Sequence, residues 1–371
     1  QRLFEAQSAI PWAGERPLLS RAAFDDECIK CGLEPPKSLA QTDLDTQEWI
    51  RQHGYNYKWV GAVTNWRRIN ALKKKLEAFD YATLPDGRFS GSGGNLNLQN
   101  LPREEMFGVN LRHMVSAPKG KKLVVVDLSQ IEVRTLCWLA EDKETLQEIA
   151  NTGDIYEAFA IRMGLWTKDK GVLKSEDPKL RHKVKAIVLG CGYGAGANKF
   201  SEMYNMPLAE AKEAVNLYRT QLHKVPKFWQ KINNTLKSCH NSFVPFECRL
   251  PSGRALNYGP LKLVYQNERL AYQAIVSRNG KRLPMKLWGG VVAENMSQGL
   301  ARDIFSDMLL RLESEGIRLI FHVHDEVIIE CDEGEAEMVL EKTIGIMSTP
   351  PAWISDIPLA AEGQILTHYQ K

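Results

Sequence analysis

Two apolar, β-branched runs broken by acids stand out along the chain. The first is Val124-Val125-Val126-Asp127-Leu128, followed by Ser129-Gln130-Ile131-Glu132. The second is Ile320-Phe321-His322-Val323-His324-Asp325-Glu326-Val327-Ile328-Ile329. Such runs predict covered strands, because branched side chains fit a pleated, buried surface. Asp127 therefore falls at a strand end, and Asp325 in a turn between two strands. Helical periodicity predicts a short helix over 46–53. A longer one over 59–79 carries Val60, Val63, Trp66, Ile69, Leu72, Leu76 and Phe79 on one side. Further helices are expected over about 130–140, from 154 to about 220, and over 225–240, 290–315 and 334–348. A strand pair is expected around Pro251-Ser252-Gly253. Pro35-Pro36-Lys37-Ser38 marks a loop, and residues 86–102 are rich in Gly and Asn.

Composition changes this picture little. The 371 residues exceed the usual single-domain size, so two or three lobes are expected. A net charge of +3 is too small to announce a polyanionic partner. The cations cluster, however, at Lys73-Lys74-Lys75, at Lys119 to Lys122 and from Lys179 to Lys185. Seven cysteines form no disulfide or metal framework; Cys28 and Cys31 make a lone CxxC, and the rest are scattered, as in a reducing compartment. No apolar run reaches membrane length, so no membrane partner is expected. The first residue is Gln1, and a longer parent protein is expected.

The candidate chemistry lies in the acids and in one basic segment. A carboxylate at a covered strand end is costly without a positive partner. Two converging there suit a hard divalent cation, which takes oxygen ligands and usually completes its shell with substrate phosphates. That suits phosphoryl or nucleotidyl transfer. Arg181, Lys185 and Leu189 follow at i, i+4 and i+8, with Tyr193 at i+12, and share one helical face. Two cations and then an aromatic ring suit a triphosphate with sugar and base beyond it. Gly190, Gly192, Gly194 and Gly196 predict that the helix ends there.

Together these segments resemble the polymerase region of family A DNA polymerases, the bacterial DNA polymerase I group, with the nearest likeness to phage members. Asp127 to Arg134 resembles motif A, Arg181 to Gly194 motif B, and His324-Asp325-Glu326 motif C. A fourth match, Gly87-Arg88-Phe89-Ser90-Gly91-Ser92 with Asn97-Leu98-Gln99-Asn100-Leu101-Pro102, resembles the stretch that grips primer–template. The likeness covers roughly residues 80–371, in the family's order.

The resemblance implies an α+β right-hand polymerase fold with an antiparallel-sheet palm, helical fingers and a short or partial thumb. It implies an N-terminal or partial thumb region over 1–80, palm over 81–150, fingers over 151–240 and palm again over 241–371. It implies template-directed addition of dNTPs to a primer 3′-hydroxyl, with two Mg²⁺ held by Asp127, Asp325 and the Leu128 carbonyl. Lys185 would be the proton donor to the leaving group, and Glu326 would support the metals. Arg181, Lys185, Leu189, Tyr193, Gln130, Glu132 and Tyr156 would surround the dNTP. Arg88, Asn97, Gln99, Asn100, Gln298 and His324 would touch DNA. Asn295 is one residue nearer Gln298 than the bacterial spacing. Primer–template DNA and dNTPs are the implied partners, in the cytoplasm of a bacterium or phage-infected cell; the sequence names no processivity or replisome partner.

Three features separate this chain from the family pattern or from rival classes. Leu189 stands where the family usually has an aromatic ring, and Tyr156 lies in a segment that often carries His. Glu132 separates the chain from single-subunit RNA polymerases, whose motif A lacks that acid. It is expected nearly buried beneath Tyr193, with its carboxylate bonded to the tyrosine hydroxyl. Retention of Asp127, Asp325, Arg181 and Lys185 together argues against a non-catalytic scaffold. His322 reads as a hydrogen-bonded core histidine. Asp43-Leu44-Asp45 does not match the opening of a proofreading exonuclease site.

Overall fold

The computed structural model describes residues 2–39, 43–82, 101, 105, 107–266, 269–278 and 281–370. They divide into two compact units, residues 1–116 with 368–371, and residues 117–367.

The first unit contains helices α1 (Arg2–Ser8), α2 (Arg21–Lys30), α3 (Leu44–His53) and α4 (Lys58–Ala82). Ser20 and Asp43 start α2 and α3 by accepting from backbone N–H groups of the first turn. Its core is aromatic: Trp12, Phe24 and Trp59 meet edge to face. Cys28 is fully buried in that core, so the first cysteine of the CxxC serves as packing. Near the C-terminal residues of the unit, the Arg112 guanidinium lies over the Tyr369 ring, 5.2 Å from its centre.

The second unit opens with strand β1 (Lys121–Leu128), then helices α5 (Ile131–Leu139), α6 (Lys143–Thr152), α7 (Ile155–Arg162), α8 (Leu173–Glu176), α9 (Pro178–Cys191), α10 (Ala197–Tyr204), α11 (Leu208–Gln221) and α12 (Lys224–Asn241). Strands β2 (Phe246–Arg249), β3 (Ala255–Gly259), β4 (Lys262–Gln266), β5 (Arg269–Arg278) and β6 (Lys281–Leu287) precede α13 (Gly289–Ser314). The chain closes with β7 (Leu319–Val323), β8 (Glu326–Asp332), α14 (Ala336–Ser348) and β9 (Ala361–Leu366).

The main sheet has the order β7-β8-β1-β9, and every pairing is antiparallel. β1 is central, and Leu123 to Val126 are buried on both faces, as a continuous branched run requires. One hydrophobic cluster joins this sheet to α13 and α14. Another holds the helices from α5 to α12 together and extends to Phe246, Tyr258, Ala274 and Leu287 of the smaller sheets.

The helices over 130–140, 225–240, 290–315 and 334–348 stand within a few residues of their expected bounds. The hairpin around Pro251-Ser252-Gly253 is β2–β3. Helices α1 and α2 had no counterpart in the sequence reading, and neither did two elements of the second unit. One is β9, which completes the main sheet. The other is the sheet β4-β5-β6, whose edge strand β6 carries Pro284, a residue tolerated where no ladder bond is needed.

Candidate active site

The two acidic runs are adjacent strands. β1 and β8 pair so that Asp127 lies opposite Glu326, and the Leu128 amide donates to the Asp325 carbonyl at 3.1 Å. Val323 pairs with Glu326, leaving His324 and Asp325 as a two-residue turn between β7 and β8. His324 takes a left-handed backbone with φ 55°, a conformation His adopts more readily than most residues and one that tight hairpins favour. Asp127 and Asp325 are half-buried, and Glu326 is buried. Backbone register therefore fixes Asp127 opposite Glu326 and next to the His324-Asp325 turn.

After β1 the chain turns sharply into α5. Gln130 is the N-cap, in the left-handed region with φ 44°. A non-glycine residue there costs on the order of 1–3 kcal/mol and persists only where its surroundings enforce it. Here the Ser129 amide donates to the Ala360 carbonyl at 2.9 Å. Arg134 is buried and clamps the turn from below, donating to the Ser129 carbonyl at 2.8 Å and the Pro358 carbonyl at 2.9 Å. Burial pushes the Arg134 pKa down to about 10. The turn displays Gln130 and Glu132 on the wall of a cavity of about 620 Å³. Leu189, Arg302, Phe305, His322, His324 and Asp325 line the same cavity.

α9 supplies the basic face. Asp177 caps its N-terminus, accepting from the Leu180 amide, and Pro178 fills the first turn. Val184, Ile187 and Val188 face the core, while Lys185 and Leu189 are exposed and Arg181 is half-exposed. Arg181 donates to Asp154 at 2.8 Å through Nε. The other carboxylate oxygen of Asp154 caps α7, accepting from the Tyr156 and Glu157 amides. The buried Tyr156 ring lies under both cations, 5.0 Å from the Arg181 guanidinium carbon and 5.9 Å from Lys185 Nζ. Burial raises the Tyr156 pKa. Tyr156 is thus a platform for the cations.

α9 ends at Cys191, as the glycines predict, so Tyr193 stands beyond the helix and not on its fourth turn. Gly194 has φ +83°, and a Cβ there would lie 2.2 Å from the Trp288 ring. A Cβ on Gly290 would meet the same ring at 2.2 Å and the Tyr193 carbonyl at 2.4 Å. Only glycine admits this close approach, which seats the Tyr193 segment against the start of α13.

Two expectations are corrected here. The Tyr193 hydroxyl donates to Ser297 Oγ at 3.2 Å, and not to Glu132. Glu132 is exposed, and not nearly buried. Its position on the first turn of α5 puts it on the wall of the cavity. Partial desolvation still raises the Glu132 pKa, helped by the Glu294 carboxylate and opposed by His324. Burial pushes the Tyr193 hydroxyl well above its usual range.

His322 is a third correction. It sits on the solvent-facing alternation of β7, is exposed, and lines the cavity with its ring edge-to-face on Phe305 at 5.6 Å. Partial burial lowers its pKa, followed by the charges of Arg302 and His324. The sequence reading missed Arg302, Phe305 and Ser297; a period-four count along α13 from Gln298 would have found Arg302.

Gln298 is exposed on α13, whereas Asn295 donates its amide to the Tyr258 hydroxyl at 2.9 Å. Arg88, Asn97, Gln99 and Asn100 lie outside the described residues.

Among the described residues, no group of three or more His, Cys, Asp or Glu side chains could hold a metal ion alone. Asp127 and Asp325 are hard oxygen donors without a protein cage. That donor set fits Mg²⁺, which typically keeps waters and takes phosphate oxygens for the rest of its shell.

The fold is that of a polymerase domain: it is similar to the POL domain of Pol1 from M. smegmatis in complex with DNA primer-template and dNTP, with a TM-score of 0.68 at 21% identity. That likeness covers 99% of this chain and 64% of the other. The sequence pattern of DNA polymerase family A matches residues 79–371, and the chain belongs to that family. It is 32% identical over 275 residues to the DNA polymerase of Bacillus phage SP02, covering 68% of this chain and 42% of the phage protein. It is 26% identical over 344 residues to DNA polymerase I of Pseudomonas aeruginosa, covering 90% of this chain and 34% of that protein. The chain therefore spans less than half the length of these relatives. Among the described residues, no helix is long and apolar enough to cross a membrane.

Proposed function

We propose that this chain carries out template-directed DNA synthesis, adding dNTPs to a primer 3′-hydroxyl with release of pyrophosphate, in the cytoplasm of a bacterial or phage-infected cell. One observation carries the reading: β1–β8 pairing puts Asp127 opposite Glu326 and the Leu128 amide on the Asp325 carbonyl, at the edge of a cavity lined by Asp325, Glu132, Leu189 and His324. In this reading the main sheet is the palm, the helices of residues 151–240 are the fingers, and residues 1–80 belong to a partial thumb.

Asp127 and Asp325, with the Leu128 carbonyl as a further oxygen donor, would hold two Mg²⁺, which would supply hydroxyl activation and charge neutralisation at the phosphates. Arg181 and Lys185 bind the triphosphate, stiffened by the Tyr156 ring and the Asp154 carboxylate. Lys185, the more exposed cation, delivers a proton to the departing pyrophosphate. Glu326 supports the carboxylate pair from its buried position across from Asp127. Glu132 and Tyr193 bound the space under the sugar's C2′, and Leu189 faces its 3′ side. Gln298 meets the minor groove, where acceptors occupy similar places in every Watson–Crick pair. His324 meets the primer end.

Primer extension with Mg²⁺ and either dNTPs or rNTPs tests this. Extension with dNTPs alone is expected. Equal extension with rNTPs would indicate an RNA polymerase, and DNA binding without any extension would indicate a scaffold.

A further inference from the structure

We propose that Ser297 sets the sugar gate of this site, as a positioning residue acting through Tyr193; the inference rests on the polymerase reading above. Ser297 is completely buried in the middle of α13, among Val292, Ala293, Leu300 and Ala301. A lone hydroxyl is costly there unless each of its bonding positions is used.

A serine hydroxyl has one proton and two acceptor positions. Ser297 donates its proton to the Glu132 carbonyl at 2.8 Å. It accepts from the Tyr193 hydroxyl at 3.2 Å. Its second acceptor position faces Thr135 Oγ1 at 2.8 Å. Thr135 is also completely buried, with the Ser297 carbonyl 3.1 Å away and the Ile131 and Glu132 carbonyls at 3.1 and 3.0 Å. One buried hydroxyl thereby ties three pieces of chain: α13, the first turn of α5 and the segment after α9.

The consequence is geometric. The distance between the Tyr193 ring and the Glu132 backbone is set through Ser297, with no carboxylate–phenol bond between them. The Glu132 carboxylate is left pointing toward the cavity. The adjacent residue, Gln298, is exposed on the other side of α13, so the same helix turn holds the gate inward and presents a polar group outward. Trp288 closes the segment from the opposite side, through Gly194 and Gly290. Loss of the Ser297 hydroxyl would leave the hydroxyl of half-buried Tyr193 without its acceptor and let the ring move off the 2′ position.

The test is a double-mutant cycle with Ser297→Ala, Tyr193→Phe and the pair, reading incorporation efficiency for rNTP against dNTP on a primer–template with Mg²⁺. Each single variant should raise relative rNTP use by about three- to tenfold, as expected for one hydrogen bond. The dNTP maximal rate of Ser297→Ala should stay within about twofold of wild type, and the double variant should raise relative rNTP use no more than the larger single one. A purely structural loss would lower dNTP and rNTP use together and leave the ratio unmoved. Thermal unfolding accompanies each variant; should Ser297→Ala fail to fold, Tyr193→Phe carries the test, since it deletes the same bond and leaves Ser297 in place. Wild-type discrimination in either folded single variant, or additive effects in the pair, overturns the proposal. A wild-type chain that extends no primer instead overturns the polymerase reading, and this inference with it.

Discussion

The carboxylate corner at β1–β8 and the cationic face of α9 are built on opposite principles. At the corner, backbone hydrogen bonds decide where the acids are: Asp127 faces Glu326 by register, and Asp325 sits in a two-residue turn with no slack. On α9 the backbone decides only the direction. Arg181 and Lys185 are long side chains steadied by a ring at 5.0 and 5.9 Å and by one carboxylate at 2.8 Å. A corner made by backbone has fixed geometry and should tolerate no loss of charge. A face made by side chains should tolerate small changes of position at graded cost.

The largest effect should come from the corner. Asp127→Asn or Asp325→Asn keeps the shape and removes a charge proposed to hold metal, so incorporation should fall more than about a hundredfold while DNA binding persists. Single-turnover incorporation beside a binding titration checks this. An Asn variant retaining a tenth or more of wild-type incorporation would break the two-metal reading.

On the cationic face, Lys185→Ala should lower the maximal rate by about a hundredfold, the lower end for loss of a proton donor. Arg181→Ala should mainly weaken dNTP binding. Pre-steady-state kinetics across a dNTP series separates the two, and the opposite pattern would exchange their roles.

Between the two regions lies the proposed sugar gate. Glu132→Ala should raise rNTP use relative to dNTP at least about tenfold, since a filled clash is worth a few kcal/mol. Leu189→Phe should leave that ratio unchanged and alter the use of dideoxynucleotides. Competition between the two nucleotide types in primer extension decides both, and unchanged rNTP exclusion in Glu132→Ala would place the gate elsewhere.

The smallest effect belongs to the platform. Tyr156→Leu removes the cation–π contact with Arg181, worth roughly 0.5–1 kcal/mol, so dNTP affinity should weaken about two- to fivefold with little change in maximal rate. An equal fall in maximal rate would show that Tyr156 does more than steady its neighbours.

Local pattern carried a good deal of this. The branched runs around Asp127 and Asp325 announced covered strands because a strand's burial is written residue by residue in its side chains. Arg181, Lys185 and Leu189 were legible as one face because helical spacing is fixed. β9 and the β4-β5-β6 sheet were not legible: their strands mix charges, glycine and proline with apolar residues, and their pairing partners lie elsewhere in the chain. Tyr193 was placed on the helix because its spacing fits, but the glycines end α9 two residues before it.

What the sequence by itself determined is the set of chemical groups and their order: two strand-borne aspartates, two cations one helical turn apart, a tyrosine behind glycines. These depend on local spacing, which backbone geometry makes regular. Only the tertiary structure decided which groups meet. It brought Asp127 beside the 324–326 turn across nearly two hundred residues, set Arg134 beneath a strained Gln130, and turned His322 outward. It gave the Tyr193 hydroxyl to Ser297, leaving Glu132 to the cavity. Those outcomes depend on packing and long-range hydrogen bonds, which carry no sequence period; a buried hydroxyl such as Ser297 becomes informative only when its partners have been brought to it.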